Sequence, residues 1–156
     1  MTKSTAPFRT TVRVRYAETD QMGVVYYANY FVWFEIGRVE LLRQLGFDYK
    51  QMELVDDCVL PVVEASCRYK APAQYDDWIL IETRISAMRT AVLKFNYNIY
   101  RGIAAPDDKS PPADELLATG ETTHVVVNQR MEKSILPQKY ATAIRAAFHL
   151  HAEKSV

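Results

Sequence analysis

The sequence predicts an α+β domain in which one antiparallel sheet of about five strands curls around a single long helix. Three observations carry that expectation. Residues 27–45 follow a helical period and are apolar round most of the circumference, five further stretches read as strands, and neither a repeat nor a composition shift divides the 156 residues. A helix apolar nearly all round is buried nearly all round. In a chain of this size only the strands are left to wrap it.

The elements follow in order. "FRTTVRVRYAE" sets Val12, Val14 and Tyr16 against Arg13 and Arg15, the alternation of a strand with one buried face. A loop around residues 20–25 follows, with Gly23 as its permissive point. The helix carries Phe31, Val32, Trp33, Phe34, Ile36, Val39, Leu41, Leu42 and Leu45, and Gly46 stops it. A short helical segment over 49–54 leads to "CVLPVVEASCRYK", "WILIETRISAM", "AVLKFNYNIYR" and "LLATGETTHVVVNQ", read as four strands in antiparallel succession. The third is the clearest, with Leu93, Phe95, Tyr97 and Ile99 on one face and Lys94, Asn96, Asn98 and Tyr100 on the other.

"APAQYDD" breaks two of these strands at Pro72, and "SAMRTA" is short enough to close a hairpin. The polar, Pro-rich "AAPDDKSPPADE" reads as a long mobile hairpin loop, and a terminal helix is expected over 138–151. The whole of 1–156 is then one domain, with a core over about 8–137. An open sheet leaves edge strands that pair readily with a copy of themselves, so a homodimer sharing its sheet is expected.

Composition narrows the partners. With 19 basic and 19 acidic residues the formal charge is +0, and no basic stripe is present to grip nucleic acid. No run of about 18 apolar residues occurs and "MTKSTAPFRT" lacks an apolar leader core, so a cytoplasmic location without a membrane span is expected. Cys58 and Cys67 are not spaced as a metal or redox pair and read as buried thiols.

One segment concentrates groups that could do chemistry. In "RYAETDQMGVVYYANYFVWFE", Asp20 stands just ahead of the helix, whose first turn offers unpaired backbone N–H groups and the positive end of the dipole. A carbonyl oxygen held at those N–H groups would be polarised, and a carboxylate beside it could attack the carbon or activate water, with no cofactor or metal. An Asp before a helix is more often a cap or turn residue than a catalyst. Glu18 reads as a solvated charge at the strand end, Asp76 and Asp77 as turn formers, Asn29 as a hydrogen-bonding aid to the helix start, and Glu64 as solvent-facing. His124 stands alone on a strand, while His149 and His151 would point to different sides of a helix.

Taken together, "YAETDQMGVVYYANYFVWFE" resembles the signature of the 4-hydroxybenzoyl-CoA thioesterase-like branch of the hotdog-fold superfamily, which includes the acyl-CoA thioesterases of the bacterial Tol-Pal cluster. Asp20, Gly23, Val24, Val25, Tyr26, Tyr27, Asn29 and Tyr30 carry the first hallmark. Tyr69, Pro72, Ala73, Asp76 and Asp77 in "YKAPAQYDD" resemble the second, and the likeness runs over about 10–137. It implies the hotdog fold, a homodimer or dimer of dimers with its site at the subunit interface, and hydrolysis of a short- or medium-chain or aromatic acyl-CoA. By the same likeness Asp20 is nucleophile or general base and the backbone N–H of Tyr27 polarises the thioester carbonyl. Gly23, Val25, Tyr26 and Tyr30 would line the substrate.

Two departures stand out. Tol-Pal-cluster members carry His where this chain has Tyr27, a change that spares a backbone N–H and bears on acyl preference. The hydroxybenzoyl branch meets the CoA phosphates with a basic run between strands three and four, of which only Arg89 is present, implying one phosphate contact. A hotdog acyl-CoA hydratase or dehydratase, or a non-catalytic acyl-CoA-binding protein, are the alternatives.

Overall fold

The computed structural model of the chain describes residues 7–102 and 115–148. The Pro-rich loop ahead of Glu115, the end of the expected terminal helix, and His149 and His151 lie outside the described residues. In chain order the elements are β1 (Phe8–Arg13), α1 (Asn29–Gln44), α2 (Tyr49–Leu54), β2 (Val62–Tyr69), β3 (Trp78–Met88), β4 (Val92–Gly102), β5 (Glu115–Val125) and α3 (Gln138–Phe148). The strands form one antiparallel sheet ordered β1-β3-β4-β5-β2.

That order corrects the expected simple succession. β2 pairs with β5, Cys67 opposite Gly120, and not with β3. The connection over 70–77 is too long for a tight hairpin, and it carries the chain past β5 and β4 before β3 begins. β3 and β4 do form a hairpin, Met88 opposite Leu93 at its closed end.

The core lies between the sheet and α1. Leu93, Phe95, Tyr97 and Ile99 of β4 and Ile79, Ile81 and Ile85 of β3 meet Trp33, Phe34, Leu41 and Leu42 of the helix, all buried. Phe34 stacks on Tyr97 with centroids 4.4 Å apart and planes 13° from parallel. Helix and sheet approach this closely because of two glycines: a Cβ on Gly37 would stand 2.3 Å from Thr83 Oγ1, and one on Gly120 would stand 2.2 Å from Phe34 Cζ. α1 ends in a Schellman turn at Gly46 (φ +90°), where the Phe47 amide donates to Leu42 O at 2.9 Å and the Gly46 amide to Arg43 O at 3.0 Å. α3 closes the far end, with Tyr140 edge-on to Phe47 at 4.5 Å and Phe148 against Phe8 at 5.7 Å.

Three further expectations change. Tyr16 belongs to a 3-10 turn after β1 and is 78% exposed, because the strand ends at Arg13 and only Val14 continues inward. α1 starts two residues later than its pattern suggests, and its own chain covers only one side: Val32 is 46% exposed and Phe31, Ile36 and Val39 are half-buried. Cys58 is buried as expected, whereas Cys67, on the edge strand β2, is only half-buried.

His124 is fully enclosed. Its Nδ1 lies 2.9 Å from Leu60 O, a pure acceptor, so Nδ1 carries the proton and Nε2 accepts from the Thr122 hydroxyl at 2.8 Å. That hydroxyl is already donating, so at 2.6 Å it accepts from Tyr97 Oη, to which Arg38 is also hydrogen-bonded. Burial pushes the His124 pKa down to about 4. Every polar atom of this interior chain is paired, which lets a histidine sit in an apolar core.

Candidate active site

The site grows from the loop between β1 and α1. Gly23 takes φ +79°, which lets the Asp20 amide donate to Val24 O at 2.8 Å and the Gly23 amide return to Asp20 O at 3.0 Å. Asp20 closes the same turn with its side chain, Oδ1 accepting from the Met22 amide at 2.8 Å. Among the described residues Oδ2 has no hydrogen-bond partner. The turn role and an available carboxylate oxygen therefore coexist in one residue.

The loop is tied to both neighbours. Val25 donates through its amide to Ala73 O at 2.8 Å, and Val24 bridges Gln74. The Glu18 carbonyl accepts from the Tyr26 amide and from Asn29 Nδ2, each at 2.8 Å. The Asn29 amide then donates to Tyr26 O at 2.9 Å, and the α1 ladder begins. Between them the amides of Tyr27 and Ala28 have no backbone acceptor among the described residues. These are the orphan donors expected where a helix starts.

Glu18 departs from its expected role as a solvated charge. It is 6% exposed, with Oε1 accepting from the Arg15 amide at 2.8 Å and Oε2 from the indole of buried Trp33 at 3.3 Å. The 3-10 turn at residues 16–18 folds the carboxylate inward, something strand periodicity could not register.

An open cleft of about 360 Å³ lies beside this loop, walled by Asp20, Val25, Tyr27, Tyr30, Tyr69 and Pro72. Both sequence hallmarks thus meet in one place, the first through α1's approach and the second through the end of β2. Tyr30 is buried and accepts from the Ala73 amide at 3.3 Å, which pins the helix to the crossover. Tyr69 Oη donates to Tyr27 O at 2.9 Å, and its ring stands edge-on to Tyr30 at 5.0 Å. Burial raises the phenol pKa of both Tyr30 and Tyr69, so each keeps its proton.

Of the residues singled out by sequence, Asp20, Val25, Tyr27 and Tyr30 wall the cleft. Gly23 shapes the turn without lining it, and Tyr26 turns outward, its ring 4.7 Å from that of Tyr27. Arg89 sits in the β3–β4 hairpin, its amide donating to Val92 O at 2.8 Å, a strand length of roughly 30 Å from the crossover that borders the cleft. Within one chain it is remote from Asp20. Tyr69 was legible as part of a hallmark but not as a wall of the site, because its role depends on where β2 ends relative to α1.

The thioesterase superfamily model matches residues 22–103, more than half of the chain, and the chain belongs to that superfamily. It is a hotdog-fold enzyme of the thioester-hydrolase class. A Bacillus subtilis protein provisionally named an acyl-CoA thioesterase is 38% identical over 80% of this chain and 82% of its own length. An acyl-CoA thioester hydrolase of Escherichia coli O6:H1 is 38% identical over 62% of this chain and 71% of its own. The crystal structure of a DHNA-CoA thioesterase from Staphylococcus aureus superposes with a TM-score of 0.79 at 26% identity, over 95% of each chain. Among the described residues, no helix is long and apolar enough to cross a membrane.

Proposed function

We propose that the protein hydrolyses acyl-CoA thioesters, with Asp20 as nucleophile or general base and the Tyr27 backbone N–H as the donor to the thioester oxygen. The observation that carries this is that a carboxylate with one unpartnered oxygen and an unpaired helix-start amide border the same apolar cleft. As general base, Asp20 takes a proton from water while the hydroxide adds to the carbonyl carbon and the oxyanion forms against the Tyr27 amide. Collapse breaks the C–S bond, and the departing thiolate recovers the proton. As nucleophile, Asp20 adds to the carbonyl carbon and the C–S bond breaks, leaving an acyl anhydride and a CoA thiolate that is protonated by water. A further water then opens the anhydride to the free acid and the Asp20 carboxylate. Either route is complete without a cofactor.

Val25, Pro72 and the tyrosine rings favour an apolar acyl group, and the volume suits a short or medium chain or one aromatic ring. Tyr27 in place of His alters the wall beside that group and not the backbone donor. β2 is an open sheet edge with Val62 and Val63 exposed, which supports pairing with a second copy, as a dimer or a dimer of dimers in the cytoplasm. Antiparallel β2–β2 pairing would bring the second copy's β3–β4 hairpin, with its Arg89, to the cleft end of the first, where a phosphate contact becomes geometrically reasonable.

The test is steady-state thiol release from a panel of aliphatic and aromatic acyl-CoAs, with Asp20→Asn as control. Loss of turnover by at least about 100-fold is expected. Unchanged turnover in the variant removes Asp20 from the chemistry, and tight acyl-CoA binding without thiol release would make the protein a binder.

A further inference from the structure

We infer that Tyr69 is a positioning residue whose hydroxyl fixes the Tyr27 carbonyl and thereby steadies the Tyr27 amide against the reacting carbonyl. The inference rests on the thioesterase reading of the cleft and adds to it a residue on a different strand.

Two consecutive peptide planes flank Tyr27, and both must be held if this cleft residue is to present its amide in a fixed direction. The first plane, Tyr26 carbonyl with Tyr27 N–H, is held within the helix start by the Asn29 amide at 2.9 Å. The second, Tyr27 carbonyl with Ala28 N–H, has only a long bond from that source, the Tyr30 amide at 3.3 Å. Its shorter bond, 2.9 Å, comes from Tyr69 Oη across the cleft. The shorter restraint on the second plane is therefore supplied by β2 and the longer one by α1.

Tyr69 is itself well held. Its ring stands edge-on to Tyr30 and to Tyr27, with planes 89° apart in both cases, and its hydroxyl also meets the Cys67 thiol. Because the phenol keeps its proton, it acts as a donor, and by holding the Tyr27 carbonyl it restrains the backbone on one side of the Cα whose other side carries the Tyr27 N–H. An error of about 1 Å in such a donor is enough to cost much of its effect on a transition state.

Tyr69→Phe keeps the ring and the cleft wall and removes only the donor. A roughly 3- to 10-fold fall in kcat is expected, the size of one lost hydrogen bond, with KM for acyl-CoA and the inhibition constant of free CoA within about twofold. A purely structural role would lower the melting temperature and leave that split absent. Cys67→Ala, which removes the weaker contact to the same hydroxyl, should shift kcat in the same direction by less and covers the case in which Tyr69→Phe folds poorly. An unchanged kcat in Tyr69→Phe, or a change confined to KM, overturns the inference while an inactive Asp20→Asn leaves the site assignment standing. Full activity in Asp20→Asn overturns both.

Discussion

Glu18→Gln isolates the buried acceptor that holds the loop bordering the cleft. The wild-type carboxylate serves two donors at once, the Arg15 amide at 2.8 Å and the Trp33 indole at 3.3 Å, through separate oxygens. Glutamine offers one oxygen and one NH2. If its oxygen stays on the shorter bond, its NH2 faces the indole N–H, and Trp33, 1% exposed, has no route to water. One buried donor left unsatisfied costs about 1–3 kcal/mol. The lost ion pair with Arg15, whose side chain is 76% exposed, adds little. For a chain of this length, where 1 kcal/mol shifts the melting temperature by about 2–4 °C, the sum corresponds to a fall of about 2–12 °C.

Activity should fall with it at temperatures well below the transition. The backbone of the same residue receives the Tyr26 amide and the Asn29 side chain, so a shift of Glu18 loosens the segment that presents Tyr27. Thermal melts followed by circular dichroism, together with kcat on one good acyl-CoA substrate, measure both effects. A melting temperature within about 1 °C of wild type would refute the reasoning, because it would mean that the 3.3 Å indole contact contributes no net stability.

Gly120→Ala should destabilise by about 3 kcal/mol or more in urea unfolding, since its Cβ would stand 2.2 Å from Phe34 Cζ and 3.0 Å from the backbone oxygen of Ser66, and Phe34 is buried in a stacked pair. Pairing it with Phe34→Leu should recover part of the loss in a double-mutant cycle. His124 is neutral in the fold, with a pKa of about 4, while in the unfolded chain it titrates near 6.5. The unfolded state therefore binds the extra proton between these values, and stability is lost as pH falls from about 6.5 towards 4, by roughly 2–3 kcal/mol at pH 4.5. His124→Gln should remove that component from the difference in urea midpoints measured at pH 7 and pH 4.5.

Local signals were sufficient wherever one residue's pattern fixes its own surroundings. The alternation in β4 sorted Leu93, Phe95, Tyr97 and Ile99 from their neighbours because a strand has a period of two whatever it pairs with, and Gly46 ended α1 because only a left-handed turn follows there. Pairing order was not legible in the same way. Nothing in β2 says that β5 is its neighbour, since Cys67 opposite Gly120 is a contact made by the fold as a whole. Glu18 failed for a related reason: its burial follows from a single 3-10 turn and an indole fifteen positions away in the chain. At the site, Asp20 was visible as an acid before a helix, but its division into one turn-capping oxygen and one unpartnered oxygen needed coordinates.

The overstated burial of α1 has a different cause. Hydrophobic periodicity reports which residues avoid water in the working assembly, and in the proposed homodimer a single chain would supply only part of that assembly. Val32 on the helix and Val62 and Val63 on the edge strand carry apolar side chains that their own chain leaves uncovered. Isolated exposed valines are ordinary, yet two of these three are consecutive on an edge strand that, among the described residues, has no second neighbour to take its outward backbone donors and acceptors. A second copy aligned antiparallel along β2 would cover both kinds of group at once, and it would do so beside Tyr69, the residue that joins this strand to the Tyr27 peptide. The surplus of apolar residues that made one chain look too small to wrap its helix is thus itself an argument for the homodimer.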